Sequence, residues 1–216
     1  MLKITAYADR LADELDEVDY PESIKAAQRN WIGRKTWIDI SFDVEGTGQK
    51  LVVSTTQPET IYGVTFIVVA PEHPIFDEDK KFVPEEYRDT VLAYKKEAQG
   101  KTPEERADEK MKKTGVFTGL YAINPVNGER VQIWMTDFVL MTVGTGAVMG
   151  VPGHDKRDFQ FATQYKLPVA RVIVGPDGKT GEINKISEVQ HDAGTVVNSD
   201  ILDGLSAVSY THLTLP

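Results

Sequence analysis

The sequence predicts an α+β fold built on a bent or barrel-like mixed β-sheet core with flanking helices. Three features carry that expectation: the apolar period changes from 3.6 to 2 at Trp37, short strand-like runs return from Val131, and glycine turns separate them. Many short strands joined by such turns tend to curl and close.

Taken in order, Ile4, Tyr7, Leu11 and Leu15 recur at helical spacing, and Pro21 and Glu22 open a second helix that presents Ile24, Ala27 and Trp31 before Gly33 ends it. Together they predict a helical linker over 1–34. From Trp37, Ile38, Ile40, Phe42 and Val44 alternate with Asp39, Ser41 and Asp43, and Gly46-Thr47-Gly48 turns the chain into a second strand, Lys50 to Ser54. A further run, Val64 to Ala70, closes this block. Residues 75 to 113 read as a helical pair lying over the sheet. Pro84 sits at a first turn before Glu85 and Glu86, Tyr87, Val91, Tyr94 and Ala98 make one face, and Gly100 stops the helix. Thr102 with Glu105 then forms a capping box. Strands are expected at Val131 to Met135, Phe138 to Val143 and Val169 to Val174, with a turn at Gly175-Pro176-Asp177-Gly178. One domain over 35–206 follows, and the last ten residues, 207–216, are set apart as an atypical tail.

Composition narrows the function. The 216 residues carry 33 Asp+Glu against 24 Lys+Arg, a charge of −9, which is too acidic for a free-standing nucleic-acid binder. The longest apolar run, Phe66 to Pro71, is far short of the roughly 20 residues of a membrane span. The start of the chain lacks the pattern of a secretory signal, so a cytoplasmic address is expected. The absence of cysteine excludes disulfides, thiolate catalysis and the common structural zinc sites.

Two segments carry chemistry. In Ser54-Thr55-Thr56-Gln57-Pro58-Glu59-Thr60-Ile61-Tyr62-Gly63, four hydroxyls crowd the end of an apolar strand; read by itself this is a strand end followed by an N-capped turn. The second runs from Gly144 to Asp158. Its glycines imitate a dinucleotide fingerprint, but Pro152 and Gly153 fall where the phosphate-binding helix would run. It does offer a helix start: Asp155 can cap Lys156 to Tyr165, with Asp158 in the first turn. Asp158 is either a second capping carboxylate or an anchor for an ammonium group. His154 beside two aspartates is too sparse a set to hold a metal, and none is expected.

The peptides TTQPETIYGVTF, APEHP and GTGAVMGVPGHDKRDFQFA, with RNWIGR, TGVFTGLYAINPVNGE and NSDILDGLS, resemble the editing domain of leucyl-tRNA synthetase, within the class that also holds the valyl and isoleucyl enzymes. PGHD, APEHP and INPVNGE favour the leucyl type. The resemblance implies hydrolysis of the ester of tRNA(Leu) mischarged with norvaline, isoleucine or a similar residue, by a positioned water. It implies that Thr55, Thr56 and Asp158 are catalytic and that Thr60, Met149, Val151 and His154 line the pocket with Asp158. By the same resemblance, Thr60 excludes leucine through its methyl group and Asp158 holds the substrate ammonium. Gly144, Gly146, Pro152 and Asp155 are expected to be structural.

No cofactor is expected for editing; ATP and magnesium belong to a parent synthetase, whose HIGH and KMSKS peptides are absent here. The expected partners are the 3′ end of mischarged tRNA(Leu) and the remainder of a synthetase, with no membrane, and the isolated module is expected to be a monomer. Gln57 stands where the family usually carries arginine, which removes a fixed cation. The alternatives are a valyl- or isoleucyl-type editing domain and a non-hydrolytic module that binds the tRNA acceptor end.

Overall fold

The computed structural model describes residues 4–34, 37–77, 81–102, 105–106, 113–190 and 193–207. The chain divides into two compact units, Met1–Thr36 and Trp37–Pro216. In the first, a 3₁₀ turn (Ile4–Tyr7) leads into α1 (Ala8–Asp13), and α2 (Glu22–Ile32) follows, stopped by Gly33 at φ 64°. The two helices are laced by charge: Arg34 reaches Asp9 and Asp13, and Arg29 reaches Asp16 at 2.6 Å. Leu15 is buried, while Tyr7, Leu11 and Trp31 are exposed.

The second unit is a six-stranded mixed sheet with helices, the α+β class the sequence predicts. β1 (Ile38–Val44) and β2 (Gln49–Thr55) form the expected hairpin, in register from Ile38↔Thr55 to Val44↔Gln49. β3 (Phe66–Val69), β4 (Gly115–Ile123), β5 (Arg130–Thr136) and β6 (Ala147–Gly150) complete the order β2-β1-β4-β5-β3-β6, in which β3 and β5 run parallel and the other pairs antiparallel. The two ends of that order meet. The Thr145 N–H, just before β6, donates to Ser54 Oγ on β2 at 3.2 Å, so the sheet curls nearly closed.

Alternation along the strands sorts the core. Phe42, Leu51, Val53, Ile67, Ile133 and Met135 fill the inside of the curl. On the outer face, Phe66, Val68 and Trp134 pack with Phe161 of α4 (Lys156–Tyr165), where the Phe66 and Phe161 rings stack at 5.3 Å. β3 is therefore buried on both faces, which is why it reads as an unbroken apolar run. α3 (Glu85–Gln99) covers the other side of β4. The capping box after it is present, since the Glu105 N–H donates to Thr102 Oγ1 and the Thr102 N–H to the Glu105 carboxylate. Most of the helix expected beyond it lies outside the described residues. A small antiparallel sheet, β7 (Ile173–Val174), β8 (Gly194–Val196) and β9 (Ser206–Ala207), follows. Ala207 is thus buried in a strand, and 208–216 lie outside the described residues. Among the described residues no helix is long and apolar enough to cross a membrane.

Two expected strands change. Phe138 to Val143 is a chain of turns, because Arg106 takes the carbonyls that a ladder would need: its Nε donates to Asp137 O, and its Nη2 to Val139 O at 2.8 Å. The bidentate pairing of Arg106 with Glu72 holds the guanidinium there. Of Val169 to Val174 only the last two residues are strand, and they belong to the small sheet. The longest strand, β4, escapes a period-2 reading because Gly119, at φ 75°, makes a bulge between Phe117 and Tyr121.

Candidate active site

Two chain segments about a hundred residues apart converge on one cleft of about 380 Å³. One wall is the end of β2 and the 3₁₀ turn Pro58–Gly63, presenting Thr55, Thr56 and Thr60; the other is β6 and the start of α4, presenting Met149, Val151 and Asp158. The sheet's curl brings them together, since β2 and β6 are its opposite edges.

On the first wall two of the three threonine hydroxyls are held by hydrogen bonds to Gln57. Thr55 Oγ1 accepts from the Gln57 N–H at 3.0 Å and so shapes the chain after the strand. Thr60 is 0% exposed and its Oγ1 donates to Gln57 O at 2.7 Å, which fixes its rotamer and leaves the methyl as what the side chain offers the cleft. Thr56 is half-buried and lines the cleft, as does Gln57. The approach of the two walls depends on Gly144: at φ 57°, a Cβ there would stand 2.7 Å from Ser54 Cβ. Gly146, at φ 75°, likewise meets Met141. Ser54, which also donates to Asp39 at 2.7 Å, is a clasp that the sequence reading passes over; nothing but the fold puts it beside Thr145.

On the second wall Asp155 is the helix cap, accepting from the N–H groups of Arg157 at 2.7 Å and Asp158 at 3.1 Å. Asp158 is not a second cap. Its Oδ2 accepts from the Val151 N–H at 2.8 Å, which draws the carboxylate back over the Val151–Asp155 turn. Burial pushes the Asp158 pKa up to about 7, helped by the nearby Asp155 charge and opposed by the Val151 N–H and Arg157. A half-buried carboxylate held by a single neutral donor still has lone pairs for a cation.

His154 is placed differently from its expectation. It does not line the cleft: its ring is buried behind the turn, where Nε2 accepts from the Val172 N–H at 2.9 Å and Nδ1 stands 3.0 Å from Gln190 O. Burial lowers its pKa to about 4, so it is neutral at physiological pH and ties the turn to the following segment. Pro152 is buried in the same turn, and Gly153 is required there, because a Cβ would come within 2.1 Å of Ala170 O. Gly153→Ala therefore has to push two backbone segments apart, and a loss of about 3 kcal/mol is expected from denaturant titration.

The rest of the cleft was not foreseen. Phe138, Leu140 and Val143, from the turns that Arg106 organises, give it an apolar side, and Arg106, Lys113 and Arg157 bring cations to it. The lining thus mixes three cations, of which Arg106 is paired with Glu72 and Arg157 lies 3.4 Å from Asp155, with the carboxylates of Asp155 and Asp158. The arrangement suits a ligand with an ammonium group, a small apolar side chain and an anionic tail.

A family model described as leucyl-tRNA synthetase, editing domain, matches residues 29–213. Among solved structures, the chain is similar to the agnB2 LeuRS of Agrobacterium radiobacter K84, solved as a ternary complex with tRNA and LeuAMS. The two are 37% identical with a TM-score of 0.61, over 86% of this chain and 22% of that one, so the chain spans under a quarter of that protein's length. A family match across most of the chain, on a fold that brings the two signature peptides to one cleft, settles the assignment: this chain belongs to the leucyl-tRNA synthetase editing-domain family.

Proposed function

We propose that the cleft hydrolyses the ester between a noncognate amino acid, such as norvaline or isoleucine, and the 3′-terminal adenosine of tRNA(Leu). The observation that carries this reading is the single cleft shared by Thr55, Thr56 and Thr60 on one side and the Asp158 carboxylate on the other. Asp158 takes the α-ammonium, replacing the water its carboxylate has lost with a charge-assisted bond. Met149 and Val151 receive the side chain, and Thr60 closes the space into which leucine would extend. Arg157 and Lys113 face the phosphates of the tRNA end.

With the ester held at the ammonium and the phosphate, a water beside Thr55 and Thr56 attacks the carbonyl carbon. The 3′ oxygen departs with the proton that the water gives up. Positioning supplies most of what this downhill reaction needs, so neither metal nor nucleotide is invoked. A second site of this kind has a clear rationale, because apolar pockets separate side chains one methylene apart by only about 1–3 kcal/mol.

The test is deacylation. Norvalyl- or isoleucyl-tRNA(Leu) should decay faster with the protein than in buffer, while leucyl-tRNA(Leu) should not. Decay no faster than in buffer would leave a module that only binds the acceptor end, and clearance of mischarged tRNA(Val) in preference would assign the valyl type. Because the net charge is −9, weak phosphate attraction calls for high protein concentration and low salt.

A further inference from the structure

Among the described residues two aromatic side chains line the cleft, Trp37 and Phe138. Phe138 is engaged: its ring meets Phe161 edge-on at 5.8 Å, and the Lys113 ammonium stands over it at 5.7 Å. Trp37 is open. It is 46% exposed, and among the described residues its indole makes neither a ring contact nor a hydrogen bond. Its place follows from the hairpin. The register Ile38↔Thr55, continued by one residue, sets Trp37 opposite Thr56. Side chains alternate across a strand, so Trp37, Asp39, Ser54 and Thr56 share one face. That is the face on which Ser54 bonds Asp39 and meets Thr145 from the opposite edge of the sheet.

An uncovered indole at the cleft calls for a flat, apolar partner. The amino acid of the substrate is too small for this, and Met149 and Val151 already receive it. The nucleic-acid half of the substrate does carry such groups, since its bases begin one sugar ring from the ester. Trp37 lies one strand, about 4.8 Å, from the Thr56 beside which the ester is held. Phosphate attraction alone is thin here, because the net charge is −9 and Arg106 is already paired with Glu72. Stacking does not depend on charge and accepts any base. We infer that Trp37 is a substrate-binding residue whose indole stacks an unpaired base of the tRNA 3′ end. The ester is then gripped from both sides, by Asp158 at the ammonium and by Trp37 at the nucleotide. This rests on the hydrolytic reading of the cleft for its choice of ligand.

The probe is the ribotrinucleotide CCA, with a counterpart of the same sugars and phosphates but no bases. Each is titrated into the 216-residue protein while the indole N–H resonances of its three tryptophans are followed by NMR. Trp37→Phe assigns the Trp37 signal by removing it. CCA should shift that signal, leave those of Trp31 and Trp134 in place, and bind about tenfold tighter than the base-free counterpart. An unmoved Trp37 signal, or equal affinity for the two probes, overturns the inference. In deacylation of norvalyl-tRNA(Leu), Trp37→Leu should raise KM about tenfold with kcat within about twofold, and Trp37→Phe should restore most of the loss. Both variants should melt with the wild type, since nearly half of the indole lies in solvent. An unchanged KM in folded Trp37→Leu overturns the inference as well. The two readings fail separately. A base-dependent shift of Trp37 in a protein that deacylates nothing removes hydrolysis and keeps the stacking platform, whereas deacylation with an unmoved Trp37 signal removes the platform and keeps hydrolysis.

Discussion

Asp158→Asn lowers deacylation of norvalyl-tRNA(Leu) about a hundredfold or more while leaving the protein at least as stable at pH 8. The activity loss follows from the carboxylate being the anion on its wall of the cleft best placed to meet an ammonium, in a spot where burial makes a charged pair stronger than in water. The stability expectation has the opposite sign for the same reason. The folded pKa of Asp158 lies above its unfolded value, so the stabilisation is complete below the unfolded pKa and is lost as pH rises through about 7. Asparagine keeps an acceptor for the Val151 N–H and carries no buried charge, so the variant escapes that loss. A purely structural Asp158 gives the reverse pattern, with activity retained.

The same variant bears on His154. Its folded pKa is depressed, so its contribution is complete above its unfolded pKa of about 6.5 and is lost as pH falls through that value toward about 4. In the wild type the slopes of His154 and Asp158 oppose each other across this window. In Asp158→Asn one opposing slope is gone, although the buried Glu59, whose pKa burial also raises, still opposes His154, so melting temperature should fall more steeply than in the wild type as pH drops from about 6.5 to 4. Activity has its own pH signature. Ammonium binding pulls the Asp158 proton off, so the KM for mischarged tRNA should fall as pH rises to about 7 and climb again as the substrate's α-ammonium, with an ordinary pKa of about 7.7–8.0, loses its own proton, after subtraction of the buffer rate.

Thr60→Ala opens the second large effect. Removing the one methyl that the fixed rotamer leaves at the cleft makes room for leucine, and leucyl-tRNA(Leu) should then be hydrolysed about 10- to 200-fold faster than by the wild type. Thr60→Val separates the two halves of the side chain: it keeps a methyl and loses the bond to Gln57 O, so discrimination should persist while stability drops by about 1 kcal/mol. A wild-type preference against leucine in Thr60→Ala would take Thr60 out of the gate.

Local signals in the chain had local causes. The hairpin, the stop at Gly33, the Asp155 cap and the Thr102–Glu105 box were legible because each depends on residues within a few positions of one another, and short-range periodicity and capping encode such choices directly. The two chemistry-bearing peptides were legible for the same reason, as unbroken runs. Long-range partners were not. Arg106 reaches over 30 positions to turn Phe138–Val143 from strand into cleft wall, Ser54 meets Thr145 across the closure of the sheet, and His154 is drawn into the core by Gln190 and Val172. Composition and spacing alone determined that this chain carries a hydroxyl-rich strand end and an acidic helix start. That they face one cavity, with Asp158 turned back to Val151, was decided by the curl of the sheet, because hydrogen bonds and burial between distant segments exist only once the edges β2 and β6 have met.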